Sequence, residues 1–197
     1  AIRAHDTFDE FFHQRLMALD RAYTWTGGAT GASYDAALRA HCSRRHFHRA
    51  FGQFAALPET VARRVRLAGD TPKDILVLGD DDFLSLALAA SGHRVTAIEI
   101  DPGICKLIDR EKKVTVVPRD LREPWPQELH GRFDLFFADP LSSAQPFRLF
   151  LARGLAGLKP GGHGFVCVAE VGTAIFETVR RDLRIDMLAG DACGRTA

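Results

Sequence analysis

"DILVLGDDDFLSLALAASGHRVTAIEID", residues 74–101, decides how this chain folds. An unbroken apolar run, Ile75 to Leu78, ends at Gly79, and three aspartates follow at once. A short run that is apolar at every position marks a parallel strand covered on both faces. Phe83 to Ser91 has the apolar spacing of a helix and stops at Gly92; Arg94 to Ile100 then reads as a second strand. Strand, helix and strand make one right-handed crossover unit. Where such a unit binds a nucleotide, its first turn is usually rich in glycine, because the backbone must approach the ligand closely. Here the turn is Gly79-Asp80-Asp81-Asp82, so a ligand with positive charge is expected.

The same alternation continues downstream. Asp101-Pro102 caps and opens a helix to about Glu111. "VTVV" (114–117), "FDLFFA" (133–138) and "HGFVCVA" (163–169) read as three more strands. A helix from about Pro146 to Leu158 precedes a turn at Lys159-Pro160-Gly161-Gly162, and a last helix covers Thr173 to Leu183. The expected fold is α/β: a doubly wound, mostly parallel Rossmann-like sheet over residues 73–197, with ligands at the carboxyl ends of the strands. The tail after Ile185 leaves room only for abbreviated antiparallel strands.

Residues 1–72 read as an N-terminal helical cap. Thr7-Phe8-Asp9-Glu10 fits a capping box, and Phe8, Phe11, Phe12, Leu16 and Leu19 follow at helical spacing. The glycine-rich stretch Gly27 to Gly31 breaks that helix. A second helix is predicted from Ser33 to Phe51 and a third from Pro58 to Gly69. Together they could close over a site as a lid.

Composition narrows the class. A chain of 197 residues, 46% hydrophobic and 26% charged, has the makings of one domain with a real core. No apolar run reaches the roughly 18 residues of a membrane span, and Ala1 to Glu10 holds no apolar signal core. Cys42, Cys105, Cys167 and Cys193 are far apart with no CxxC pair, so reduced thiols in a cytoplasmic protein without a metal are expected. Residues 1–73 carry 11 Lys or Arg against 7 Asp or Glu, whereas residues 74–101 carry 6 acids and 1 base. The net charge of +1 therefore hides an acidic patch. Long basic runs are absent, so neither nucleic acid nor membrane is an expected partner. A homodimer is left open.

Each strand end supplies polar groups. Gly79, Asp80, Asp81 and Asp82 follow strand one, Glu99, Ile100 and Asp101 close strand two, Arg119, Asp120 and Leu121 follow strand three, and Asp139, Pro140, Leu141 and Ser142 follow strand four. In nucleoside-binding Rossmann-like enzymes the second acid accepts from both ribose hydroxyls, a role that falls here to Glu99. Asp120 with Leu121 would bind adenine, and Asp139 would face the reacting end of the ligand. Simpler readings stand beside these. Asp82 and Asp101 can be helix caps, Asp120 a loop turn and Asp139 a turn initiator before Pro140. His41, Arg44, Arg45, His46, His48 and Arg49 form a dense basic stretch that reads as a solvated helix face, with a metal or phosphate site as the alternative. Trp25 and Trp125 read as packing or lid aromatics, and Ser142 and Ser143 lack an evident histidine partner for a hydrolase triad.

"VLGDDDFLSLALAASG" (77–92), "IEID" (98–101), "RDLREPWPQELHGRFDLFFADP" (119–140) and "RLFLARGLAGLKP" (148–160), with "FGQFAALPETVARRVRL" (51–67) upstream, resemble the branched-chain polyamine synthases. These are N4-bis(aminopropyl)spermidine synthases, aminopropyltransferases on the class I methyltransferase fold. The resemblance covers roughly Phe51 to Pro160, while the helices before Phe51 and the family's extra N-terminal domain find no counterpart. It implies decarboxylated S-adenosylmethionine as donor and co-substrate, a polyamine as acceptor and methylthioadenosine as by-product, with no metal. The family lines its site with the GDDD loop and a DPPY motif. Here Asp139-Pro140-Leu141-Ser142 replaces DPPY, so the tyrosine that walls an ammonium is missing. Tyr23 and Tyr34, flanking the glycine-rich break, are the candidates to replace it.

The mechanism these residues imply is attack by a neutral amine on a carbon next to a sulfonium. Asp139 would orient or deprotonate the amine, and Asp80 and Asp81 would hold the cationic arm. A donor carboxylate about 4 Å from an ionised aspartate costs roughly 4 kcal/mol at an effective dielectric near 20. The aspartates therefore favour the decarboxylated donor unless a cap arginine such as Arg44, Arg45, Arg49 or Arg63 neutralises them. Ordinary S-adenosylmethionine chemistry is the alternative: methyl transfer, or reaction at the aminocarboxypropyl chain including its cyclisation. A non-catalytic partner subunit of the same fold is the second alternative.

Overall fold

Five parallel strands in the order β3-β2-β1-β4-β5 carry helices on both faces in the computed structural model, which describes residues 31–42, 56, 58–168 and 173–183. In chain order the elements are α1 (Ala32–Cys42), α2 (Pro58–Ala68), β1 (Asp74–Leu78), α3 (Leu84–Ala90), β2 (Arg94–Glu99), α4 (Pro102–Asp109), β3 (Val114–Pro118), β4 (Phe133–Ala138), α5 (Ala144–Gly157), β5 (Leu158–Val166) and α6 (Thr173–Asp182). The predicted first helix, Tyr23, Trp25, residues 43–51 with their arginines, and the tail lie outside the described residues.

The period-2 alternation of β1 divides the core. Ile75 and Val77 point into one cluster with Tyr34, Val61, Val65, Leu86, Ile104 and Leu107. Leu76 and Leu78 point into the other, with Phe136, Phe147, Leu151 and Val179. Burying each such side chain contributes about 1.5–3 kcal/mol, which is why β1 is apolar from Ile75 to Leu78. Helices α1 and α2 share the first cluster with the sheet, so the described part of residues 1–72 packs directly on residues 73–197. Among the described residues no helix is long and apolar enough to cross a membrane.

Chain order reverses between β1 and β4, which pair in register from Ile75↔Leu135 to Leu78↔Ala138. The loops leaving these two strands diverge to opposite sides of the sheet, and this opens the crevice where ligands of such folds sit. At the opposite end of the sheet, Lys159 Nζ lies 2.8 Å from Asp134 Oδ1 and 3.2 Å from Asp74 Oδ2, which ties together the starts of β1, β4 and β5.

Three expectations are corrected here. Lys159-Pro160-Gly161-Gly162 does not form a turn ahead of β5 but lies within it. Phe133 pairs with Leu158 and Leu135 with His163, so the four residues between stand opposite Asp134 alone, at a break in register where Gly161 takes φ +80. Tyr34 is fully buried in the first cluster and cannot wall an ammonium in the crevice. His41 is buried as well, its ring 5.5 Å from that of Phe83 at an edge-on angle, rather than on a solvated face.

Phe136 sits between two glycines. A Cβ on Gly154 would stand 2.6 Å from its ring, and one on Gly164 would stand 2.1 Å from it. Alanine normally stabilises a helix by about 1 kcal/mol over glycine, so the overlap at Gly154 sets the sign. Gly154→Ala is expected to lose about 1–3 kcal/mol in urea unfolding, as an overpacked core does. A more stable variant would contradict this packing.

Candidate active site

Gly79 turns the chain out of β1 at φ +70, a conformation that favours glycine, and its N–H donates to the Ile98 carbonyl at 2.9 Å. The next N–H, of Asp80, donates to Glu99 Oε2 at 2.8 Å, and Glu99 Oε1 accepts from the Asp101 N–H at 2.7 Å. Glu99 thus clamps the loops after β1 and β2 to one another. Asp101 in turn caps α4 by accepting from the Gly103 N–H at 2.6 Å, with Pro102 in the first turn. Burial raises the Glu99 carboxyl above its ordinary range despite those N–H donors.

The three aspartates do not share one environment. Asp80 is fully buried, and its carboxylate accepts from the Ser85 backbone N–H at 3.1 Å and from the Ser85 hydroxyl. Burial, and then the charge of Asp82, push it well above the ordinary carboxylate range. Its side chain points into the fold, so the expectation that Asp80 holds a ligand's cationic arm is corrected to a role in shaping the loop. Asp81 is half-buried. Asp82 is not the N-cap residue of α3: Phe83 takes that position, in a left-handed conformation at φ 55.

Asp82 meets the Leu84 backbone N–H at the start of α3, and it also meets Arg64. Arg64 Nη1 lies 2.5 Å from Asp82 Oδ2, and Nη2 lies 2.6 Å from Asp139 Oδ2. The arginine side chain is 12% exposed, that of Asp82 6% and that of Asp139 44%. Burial raises the Asp82 carboxyl, while the Arg64 charge pulls it back. A neutralising arginine, the condition under which the aspartates would not select the decarboxylated donor, is present, but it is Arg64; Arg63, the named candidate on the same helix, is exposed. The sequence does carry its signal. Val61, Val65 and Ala68 of α2 are buried, and Arg64 falls on the same stripe, three residues after Val61 and four before Ala68.

Just after β2 and β4, Ile100 is 37% and Leu141 47% exposed, apolar side chains a ligand could cover. Pro140 is buried and Ser142 half-buried. Asp120 closes a turn on its own neighbour, accepting from the Arg122 backbone N–H at 2.9 Å and from the Arg122 guanidinium, bonds that hold its carboxyl below the usual range. Leu121 is buried, and its carbonyl accepts from Arg153 Nε at 2.8 Å. Arg153 also donates to the Glu123 carbonyl and stacks over Trp125, so it shapes the loop after β3. Trp125 packs against the second core cluster, one of the two roles expected of it. Among the described residues no cluster of His, Cys, Asp and Glu is arranged to hold a metal.

The sheet order and the strand-end acids together define a Rossmann-like α/β class with acidic groups gathered at the β1/β4 switch point. Within that class the chain belongs to the family described as "Branched-chain polyamine synthase A C-terminal domain", which matches residues 38–184. The N(4)-bis(aminopropyl)spermidine synthase of Thermus thermophilus is 38% identical over 133 residues, 61% of this chain and 39% of that protein. The Thermococcus kodakarensis protein of the same name is 37% identical over 128 residues, 58% of this chain and 36% of that one. This chain therefore spans less than half the length of these relatives. The crystal structure of the T. thermophilus branched-chain polyamine synthase, in complex with N4-aminopropylspermidine and 5'-methylthioadenosine, superposes with a TM-score of 0.66 at 32% identity, over 77% of this chain and 48% of that one. A TehB-like SAM-dependent methyltransferase from Corynebacterium glutamicum shares the fold at 19% identity and a TM-score of 0.51, over 75% of this chain and 82% of that one.

Asp80 gives a pH test. Its folded pKa lies above the unfolded value, so its contribution to stability is present at low pH and lost as pH rises through the folded pKa. An asparagine at this position would keep an acceptor for Ser85 without the ionisation cost. Asp80→Asn is expected to melt above the wild type at pH 8, with the advantage shrinking toward pH 4. An equal loss of stability at every pH would show that Asp80 carries no such cost.

Proposed function

We propose that this chain catalyses aminopropyl transfer from decarboxylated S-adenosylmethionine to an amine or polyamine, releasing methylthioadenosine. The observation that carries the reading is the meeting of Asp82 and Asp139 at the β1/β4 switch point, in a chain of this family. The sulfonium is already a good leaving group, so no covalent nucleophile is required of the protein. The amine lone pair forms the new N–C bond, the C–S bond breaks, and its electron pair stays on sulfur as the neutral thioether. The proton lost from nitrogen passes to Asp139 or to water. Asp139 suits this role because its side chain is the most open of the acids above, with one oxygen held by Arg64. The protein's contribution is to place the amine in line and to stabilise the charge around it.

Glu99 is assigned to the ribose. Its carboxylate keeps acceptor capacity beyond the backbone N–H groups of Asp80, Asp101 and Ile100 that it already meets. Ile100 and Leu121 would flank the adenine. Asp120 would bind its amino group by sharing an oxygen with Arg122. Asp81 and Ser142 would line the acceptor path, with Leu141 in place of the aromatic wall.

One observation favours a second reading. Arg64 neutralises part of the acidic cluster and would tolerate a donor carboxylate, so S-adenosylmethionine itself is the alternative donor. Incubation with either donor and a polyamine, read by mass spectrometry, separates the two. Methylthioadenosine and an aminopropyl-extended amine are expected from the decarboxylated donor, and Asp139→Asn should bind methylthioadenosine but lose turnover at least a hundredfold. Release of S-adenosylhomocysteine, or an Asp139→Asn variant that turns over normally, would overturn the assignment.

A further inference from the structure

Helix α2 places a charged residue on its apolar side. Val61, Val65 and Ala68 are buried in the core, and the Arg64 side chain, on the same stripe, is 12% exposed. A guanidinium so placed is costly unless carboxylates meet it. Two do, and they come from the ends of different strands, Asp82 after β1 and Asp139 after β4. Asp80 and Glu99 do not compete for it in the bonds they make: Asp80 is taken by Ser85, and Glu99 by the N–H groups of Asp80 and Asp101.

We propose that Arg64 is a specificity-determining residue: its guanidinium fills the cation position between Asp82 and Asp139, and so restricts an incoming amine to the exposed side of Asp139. The proposal rests on reading this strand end as an amine site, and it says how that amine is received. Without Arg64, two carboxylates would converge on one point and hold an ammonium by charge. A protonated amine has no lone pair with which to attack the donor carbon. With Arg64 in place, a second positive charge a few ångströms away is repelled, and the uncharged form of the amine is favoured. Asp139 then accepts a hydrogen bond from that amine through Oδ1, the oxygen Arg64 leaves open. Lysine could not serve in the same way, since a single ammonium lacks the planar fork that lets Nη1 and Nη2 reach two separate acids.

The test compares wild type, Arg64→Gln and Arg64→Lys as full chains, by calorimetric titration with 1,3-diaminopropane at low salt and by steady-state kinetics with a polyamine. Arg64→Gln is expected to bind the diamine at least tenfold tighter, while kcat and the KM for the amine both fall. Loss of a merely structural contact would raise KM or weaken the diamine. Arg64→Lys keeps the charge but reaches one carboxylate, and a few-fold tightening is expected. Wild-type binding with an equal or weaker affinity in folded Arg64→Gln overturns the proposal. Should Arg64→Gln not fold, unchanged or weaker binding by Arg64→Lys overturns it equally. No diamine binding by wild type or either variant would instead overturn the amine-site reading, and this proposal with it.

Discussion

One guanidinium holds the crevice together. Arg64 reaches from α2 to Asp82 and Asp139, and these acids have no reason to be near one another except that β1 and β4 are neighbours. A buried ion pair adds little net stability compared with a well-packed apolar substitute, yet removing one partner from it costs about 3–5 kcal/mol, because the remaining charge is stranded. The arrangement is therefore better suited to fixing geometry than to stabilising the fold. Helix α2 can supply that geometry because Val61, Val65 and Ala68 seat it on the same cluster as Ile75 and Val77. The arginine is presented by a packed helix, and the two carboxylates are presented by a sheet.

The rest of the acidic turn is held from beneath. Glu99 joins the loops after β1 and β2 through two backbone N–H groups, and Ser85 takes up Asp80. Phe83 adopts the left-handed region, which costs a residue with a Cβ roughly 1–2 kcal/mol. Its fully buried ring, edge-on to His41, offsets that cost. Residues in such conformations gather at functional sites, where the surroundings over-determine them. The outcome is a turn whose inner acids are committed to structure, while Asp139, Ile100 and Leu141 at the neighbouring strand ends stay exposed.

Much of this is legible in the sequence, and the parts that are not share a cause. β1 and β4 follow from runs that are apolar at nearly every position, β2 and β3 from their place in the strand–helix alternation, and Asp101-Pro102 declares a cap through purely local bonds. The strand-end acids follow from counting along those runs. What fails depends on partners far away in the chain. Lys159 to Gly162 carries every local mark of a turn, yet it falls inside β5, at a break in register fixed by the pairs Phe133↔Leu158 and Leu135↔His163 on either side of it. Tyr34 and His41 advertise their polar atoms, whereas the side of α1 on which they fall determines their burial. Three consecutive aspartates look like one open patch, but Ser85 claims the first and Arg64 the third. Arg64 itself is readable as the charge that interrupts an apolar stripe, a pattern that signals a buried partner without saying which.

The claim that Arg64 is the tie between α2 and the strand ends is most directly tested by a double-mutant cycle on urea unfolding with Arg64→Gln, Asp82→Asn and the double variant. Independent sites add within about 0.5 kcal/mol, while charged groups sharing one buried network couple by up to about 3 kcal/mol. The expected result is a coupling of about 2 kcal/mol or more, with the double variant no less stable than Arg64→Gln alone. Additive losses would mean that the guanidinium and the carboxylate do not meet in the folded protein, and would contradict the account.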